Sequence, residues 1–253
     1  MERSSFVWSR RWLAWTLGGL TRCCPWLRPL LPAALIAATW PACHAGPGPL
    51  VAFLGDSLTS GWKLSEGEAY PAIVGRTLTE RGRPIRVLNA GVSGETAAEG
   101  LARLSAVLEH HPDVLVVALG INDALRGQSL EDTEATLRRA VEQARASGCL
   151  LLLVGFHIPE KPHGPEYARR FGEIYPHLAA EYKVALVPDL LAGVSGHEEL
   201  LFPDRLHPNA PGHVRLAETL RPHLELVLAQ VEKISRAAGE RRRGTDEARR
   251  LAL

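Results

Sequence analysis

The sequence predicts an α/β fold, a three-layer α/β/α sandwich built on five parallel strands. Two observations carry this. Five apolar runs of four to six residues recur along the chain, with the length and composition of strands covered on both faces. The intervals between them hold apolar residues at helical spacing, and strands alternating with helices make a parallel sheet with helices on both sides.

Taken in order, the first strand is Leu50–Leu54. A helix follows, with Pro71 suited to its first turn, where no backbone donor is needed. Ile85–Leu88 is the second strand, and Ala97, Leu101, Leu104 and Leu108 then share one helical face. Val114–Leu119 is the third strand, followed by a helix with Leu137, Ala140, Val141 and Ala144 on one side. Leu150–Val154 and Val184–Val187 complete the sheet. A last helix starts near Pro211-Gly212 and is expected to turn Val214, Ala217 and Leu220 inward, with Pro222 kinking or breaking it. Beyond Leu228 a polar, Arg-rich stretch, residues 229–253, reads as a frayed or disordered tail.

Residues 1–45 read as an export signal: Arg3, Arg10 and Arg11 precede the apolar run Leu30–Trp40, and Pro41-Ala42-Cys43-His44-Ala45 resembles a small-residue cleavage site. A lipoprotein anchor at Cys43 is the lesser reading, since Trp40 stands where a lipobox expects Leu. The apolar runs Trp12–Leu20 and Leu30–Trp40 are each too short to span a bilayer, so no stable membrane span is expected and the product is periplasmic or secreted. Residues 46–228 are ample for one domain with a single core. After removal of the signal, 24 Lys and Arg face 27 Asp and Glu, a balance that gives no footprint for a nucleic-acid partner. Cys149 is then the one remaining cysteine, and its apolar neighbours mark it as buried core. No oligomeric state is read from the chain.

Four short stretches carry chemistry: Gly55-Asp56-Ser57-Leu58, Gly91-Val92-Ser93-Gly94, Gly120-Ile121-Asn122-Asp123 and Asp204-Arg205-Leu206-His207. The first three follow predicted strands, so a parallel sheet gathers them at its carboxyl edge, where such sheets bind ligands. The Ser57 hydroxyl needs an imidazole to take its proton and a third group to fix that imidazole's tautomer. Asp204 and His207, three apart, form a nearly local orienting pair, with Asp123 as the competing carboxylate. The Ser57 and Gly94 backbone N–H groups and the Asn122 side-chain amide are candidate donors to an oxyanion. Asp56 reads as a turn stabiliser beside the nucleophile.

With these blocks in this order, the chain resembles the SGNH hydrolases, the GDSL-type esterases and lipases, and most of all their branch of secreted bacterial acyl-thioesterases, arylesterases and lysophospholipases. The resemblance spans about Leu50 to Leu228, with Tyr70-Pro71-Ala72, Leu125-Arg126-Gly127 and His207-Pro208-Asn209-Ala210 as supporting stretches. It implies a flavodoxin-like strand order 2-1-3-4-5, Ser57 as nucleophile, Asp204 and His207 completing the triad, and Ser57, Gly94 and Asn122 as the oxyanion hole. It implies no cofactor. Ile121 departs from the small residue this branch often has between Gly and Asn, which narrows the expected groove.

Substrates expected on this basis are small-molecule acyl esters, thioesters or lysophospholipids cleaved through an acyl-enzyme. A carbohydrate O-deacetylase of the same superfamily and a non-catalytic binding module on the same fold are the alternatives. Trp62, Leu125, Phe156 and Ile158 are candidate groove residues, each equally readable as core. No metal site is expected, because His110, His111, His157 and His163 lack ligand spacing. His213, at the start of the last helix, is expected at the surface.

Overall fold

The computed structural model describes residues 48–251, so the segment 1–45, read from sequence as an export signal, lies with Cys43 outside the described residues. Five strands, β1 (Leu50–Gly55), β2 (Arg86–Gly91), β3 (Val114–Ala118), β4 (Leu150–Val154) and β5 (Ala185–Val187), form one parallel sheet in the order β2-β1-β3-β4-β5. Every residue of β3 is buried and β1 is buried from Val51 onward, as expected of central strands covered on both faces. β2 runs three residues past the apolar stretch that predicts it. Asn89 stays in the strand because its side chain is satisfied: Nδ2 donates to the Thr59 carbonyl at 2.9 Å and Oδ1 accepts from Gly91 N at 3.0 Å.

Two helices, α2 (Tyr70–Glu80) and α7 (Ala210–Leu251), cover one face of the sheet; α3 (Ala97–Leu108), α5 (Leu130–Ala146) and α6 (Pro165–Tyr182) cover the other. Two short helices, α1 (Ser57–Ser60) and α4 (Ile121–Leu125), sit at the carboxyl edge directly after β1 and β3. α3 starts with a capping box in which Thr96 and Glu99 satisfy each other's backbone donors, fixing where the loop from β2 ends.

The last helix corrects three expectations. It is not broken at Pro222 and runs on to Leu251. A mid-helix proline costs about 3 kcal/mol, but Leu216, Leu220, Leu224, Val227 and Leu228 are all buried against the sheet on either side of it, and that packing dominates. The core also extends past Leu228 to Val231, so the segment after residue 228 begins as packed helix. Val214 points outward, 45 % exposed, because Leu216 and Ala217 take the inward positions. Cys149 is half-buried against the core, its thiol pushed up by burial.

His213 is buried, contrary to expectation, and its Nδ1 accepts a hydrogen bond from the Tyr70 backbone N–H at 3.1 Å. It ties the first turn of α7 to the first residue of α2. Burial pushes the imidazole down to about 4. Between that value and the unfolded imidazole range the unfolded chain binds the extra proton, so this group's contribution is present at neutral pH and lost as pH falls from about 6.5 to about 4. His213→Asn keeps an acceptor for Tyr70 N without the titration. Relative to wild type, the variant is expected to gain on the order of 2 kcal/mol between pH 7 and pH 5, from the part of the shift crossed in that interval. Urea unfolding at the two pH values measures it, and a variant-to-wild-type difference that does not change with pH would refute it.

Candidate active site

The strand order makes the site. The chain leaves β1 for β2 on one side and returns to β3 on the other, so the loops after β1 and β3 diverge and open a crevice. Ser57 is the first residue of α1. The Asp56 side chain caps that helix, its Oδ1 accepting from Leu58 N at 3.0 Å. α1 lies close against β2: a Cβ on Gly91 would stand 2.2 Å from the Ser60 backbone nitrogen, so only glycine admits this approach.

Ser57 and His207 are 150 residues apart in sequence, yet Ser57 Oγ lies 3.1 Å from His207 Nε2. His207 Nδ1 lies 3.0 Å from Asp204 Oδ2. An ionised carboxylate only accepts, so Nδ1 carries the hydrogen and Nε2 is left to accept from the serine hydroxyl. A tight turn builds the pair. Asp204 Oδ1 accepts from the backbone N–H groups of Leu206 and His207, both at 3.0 Å, and a Leu201–Pro208 bridge closes the turn behind them. The His207 backbone N–H, with further hydrogen bonds from Leu206 and the imidazole, holds the Asp204 carboxyl down at about 2. Trp62 lies over the imidazole, ring centroids 4.1 Å apart, and limits its swing.

α4 and Arg126, the residue that caps its end, grip the loop after β2 with three side chains. Asn122 Nδ2 donates to the Glu95 carbonyl at 2.8 Å, Arg126 donates to the Gly94 carbonyl at 2.6 Å, and Asp123 Oδ2 accepts from Ala97 N at 2.8 Å. Asp123 is thereby committed to the start of α3, away from His207. Gly94 has φ +84°, a left-handed conformation that favours glycine and turns its peptide within the loop. Asn122 Nδ2 also lies 3.3 Å from Asp56 Oδ2, a long contact. Burial pushes the Asp56 carboxyl up to about 7.

The profile of the GDSL-like lipase/acylhydrolase family matches residues 53–215, most of the chain and all four motif blocks. The chain belongs to this family. It is 38 % identical over 176 residues to the esterase TesA of Pseudomonas aeruginosa, spanning 69 % of this chain and 87 % of that protein. It is 35 % identical over 173 residues to thioesterase 1/protease 1/lysophospholipase L1 of Escherichia coli, spanning 68 % of this chain and 81 % of that one. A crystal structure of TesA superposes with a TM-score of 0.68 at 36 % identity, over 70 % of this chain and 99 % of that chain.

In this family member a cavity of about 430 Å³ opens from Ser57 along the sheet edge. Asn122 and His207 stand at its mouth, and Ile121, Leu125, Ile158, Leu191, Val194 and Leu206 supply much of its apolar wall. Leu125 and Ile158 lie where sequence reading places them, and Ile121, the departure from the small residue, is part of the wall. Two groove assignments are corrected. Phe156 is fully buried, edge-on to Tyr175 of α6, and takes no part in the cavity wall. Trp62 packs on His207 and Phe202 outside the cavity wall. Leu191, Val194 and Leu206 escape sequence reading, since they come from loops with no periodicity to mark a face. Among the described residues no His, Cys, Asp or Glu group stands in metal-ligand geometry, and no helix is long and apolar enough to cross a membrane.

Proposed function

We propose that this protein is a serine hydrolase that cleaves carboxylic esters or thioesters through an acyl-enzyme, with Ser57 as nucleophile, His207 as general base and Asp204 as its orienting partner. The single observation that carries this is the unbroken relay from Asp204 Oδ2 to His207 Nδ1 and from His207 Nε2 to Ser57 Oγ, at 3.0 and 3.1 Å. In the first half-reaction Ser57 Oγ attacks the acyl carbon as His207 takes its proton; His207 then returns that proton to the leaving alkoxide or thiolate. In the second half-reaction water attacks the acyl-serine ester by the same exchange and releases the carboxylic acid.

The backbone N–H groups of Ser57 and Gly94 and the Asn122 amide are the donors for the oxyanion. The grip of α4 on the Gly94 loop supports this, because donors held in place before charge develops need no reorganisation when it does. The apolar cavity supports aliphatic acyl groups and weighs against a carbohydrate O-deacetylase, which would need a polar pocket. The names of the relatives support esters, thioesters and lysophospholipids as the substrates to try first. The pattern of residues 1–45 supports an exported enzyme. Initial rates on aryl esters of two to sixteen carbons, with an acyl-CoA and a lysophospholipid, test the reading; no turnover on any of them overturns it.

For the oxyanion hole, Asn122→Ala is expected to lower kcat by on the order of 10²–10³ with little change in KM, because the donor acts chiefly when charge develops on oxygen. An effect confined to KM would mark Asn122 as a ground-state binding group.

A further inference from the structure

The cavity has two chemically different ends. The reacting groups occupy one. At the other stand His157 and Asp189, a second histidine–carboxylate pair on the same wall, with His157 Nδ1 3.3 Å from Asp189 Oδ2. His157 follows β4 and Asp189 follows β5, whereas Ser57 follows β1. With neighbouring strands about 4.8 Å apart, two to three strand spacings put the pair roughly 10–14 Å from the nucleophile along the sheet edge. Apolar side chains, Ile121, Leu125, Ile158 and Leu191 among them, line the cavity they share.

The pair is held in place. Asp189 Oδ1 accepts from Leu191 N at 3.0 Å, and Gly155, just ahead of His157, is bonded through its N–H to the Val187 carbonyl and through its carbonyl to Leu190 N. The imidazole lies over Gly172 of α6, where a Cβ would meet the ring at 3.0 Å. Yet the fold gains little from the contact, since the His157 side chain is 63 % exposed and an ion pair this accessible adds little stability. None of the reacting groups touches it. A ligand that fills the cavity covers these polar atoms, and covering them without replacing their water hydrogen bonds is costly.

We propose that this end is a subsite for an aliphatic hydroxyl, so that the enzyme prefers acyl chains carrying a hydroxyl on the order of 8–11 bonds beyond the scissile carbonyl, given about 1.2 Å of advance per bond in an extended chain. The proposal rests on Ser57 being the nucleophile. Asp189 offers oxygen lone pairs and His157 a second ring nitrogen. A hydroxyl both donates and accepts, so it meets either state of that nitrogen. A chain-end carboxylate would face the Asp189 charge, and an ammonium would have to lose its water while crossing the apolar wall.

The test compares kcat/KM of the full-length protein for 4-nitrophenyl decanoate and 4-nitrophenyl 10-hydroxydecanoate, alongside the chain-end carboxylate and ammonium analogues. The hydroxylated ester is expected to lead decanoate by about three- to tenfold, the ratio that one net hydrogen bond supplies. His157→Leu and Asp189→Leu are each expected to bring the ratio below twofold, whereas Asp189→Asn, which keeps an acceptor for Leu191 N and for the hydroxyl, retains part of it. Labelling of Ser57 by a fluorophosphonate reports an intact reacting end in every variant. Decyl acetate and 10-hydroxydecyl acetate place the hydroxyl on the alcohol side. A preference confined to that side, a lead for the carboxylate or ammonium ester, or a hydroxyl preference that survives both leucine variants overturns the subsite. Absence of Ser57 labelling in the wild type fails the hydrolase reading itself, which separates the two failures.

Discussion

Ser57→Ala is expected to abolish turnover, lowering kcat by on the order of 10⁵–10⁶, and to leave the protein folded and unreactive toward fluorophosphonates. The two parts follow from the geometry. The hydroxyl bonds to His207, while the backbone carbonyl of Ser57 holds the turn by accepting from Gly61 N and Trp62 N, and alanine keeps that carbonyl. Deleting a single oxygen at the mouth of a cavity disturbs no packed core. Thermal unfolding within a few degrees of wild type, beside a complete loss of rate, is the expected pair of results. A fluorophosphonate adduct that forms in the Ser57→Ala protein assigns the nucleophile elsewhere.

The second large effect lies in Asp204. Asp204→Asn is expected to lower kcat by about 10⁴. The amide oxygen can still accept from Leu206 N and His207 N, so the turn survives; the amide nitrogen then occupies the place of Oδ2 and donates toward Nδ1. That forces the hydrogen of the imidazole onto Nε2, the atom that must receive the serine proton. The ring is present, and its tautomer is wrong. Because the His207 backbone N–H and its neighbours hold the Asp204 carboxyl at about 2, it stays ionised over any ordinary assay range, and its contribution to stability, present above the unfolded carboxylate range, is lost only as pH falls toward 2. Loss of wild-type activity between pH 4 and pH 7 therefore does not come from Asp204. Asp123→Asn is the control. If that variant lost activity heavily while Asp204→Asn kept both rate and pH profile, the Asp204–His207 pair would be the wrong one.

The reacting end of the site was legible because acyl transfer admits few residue types and a parallel sheet delivers them at strand ends. Ser57, Asn122 and the Gly94 loop each follow a strand, and Asp204 and His207 are close enough in sequence to pair within one turn. What the sequence hid depends on contacts between distant segments. Nothing near His213 announces that the Tyr70 N–H, 143 residues away, lacks another acceptor. Phe156 and Ile158 are both large and apolar, and only the packing of Phe156 against Tyr175 of α6 separates core from wall. Pro222 looks like a helix end until the buried leucines on both sides of it are counted against its cost. The far end of the cavity is assembled from His157 and residues 189–196, which have neither period nor motif.

The seating of α1 on β2 at Gly91 bears on how such an enzyme can diversify. A methyl group there collides with backbone, which has no other rotamer to adopt, so change at position 91 displaces the serine instead of reshaping its surroundings. Gly94 is closed to most residues by its backbone angle. Mutational freedom is thus distributed unevenly around a single crevice: the floor beneath Ser57 is frozen by main-chain contacts, while Ile121, Leu125 and Leu191 line the cavity without such contacts holding Ser57 and can be exchanged for one another's sizes. A library that randomises those wall positions and spares the two glycines samples new acyl preferences from a population of folded, reactive enzymes; one that includes the glycines spends most of its members on proteins whose nucleophile has moved.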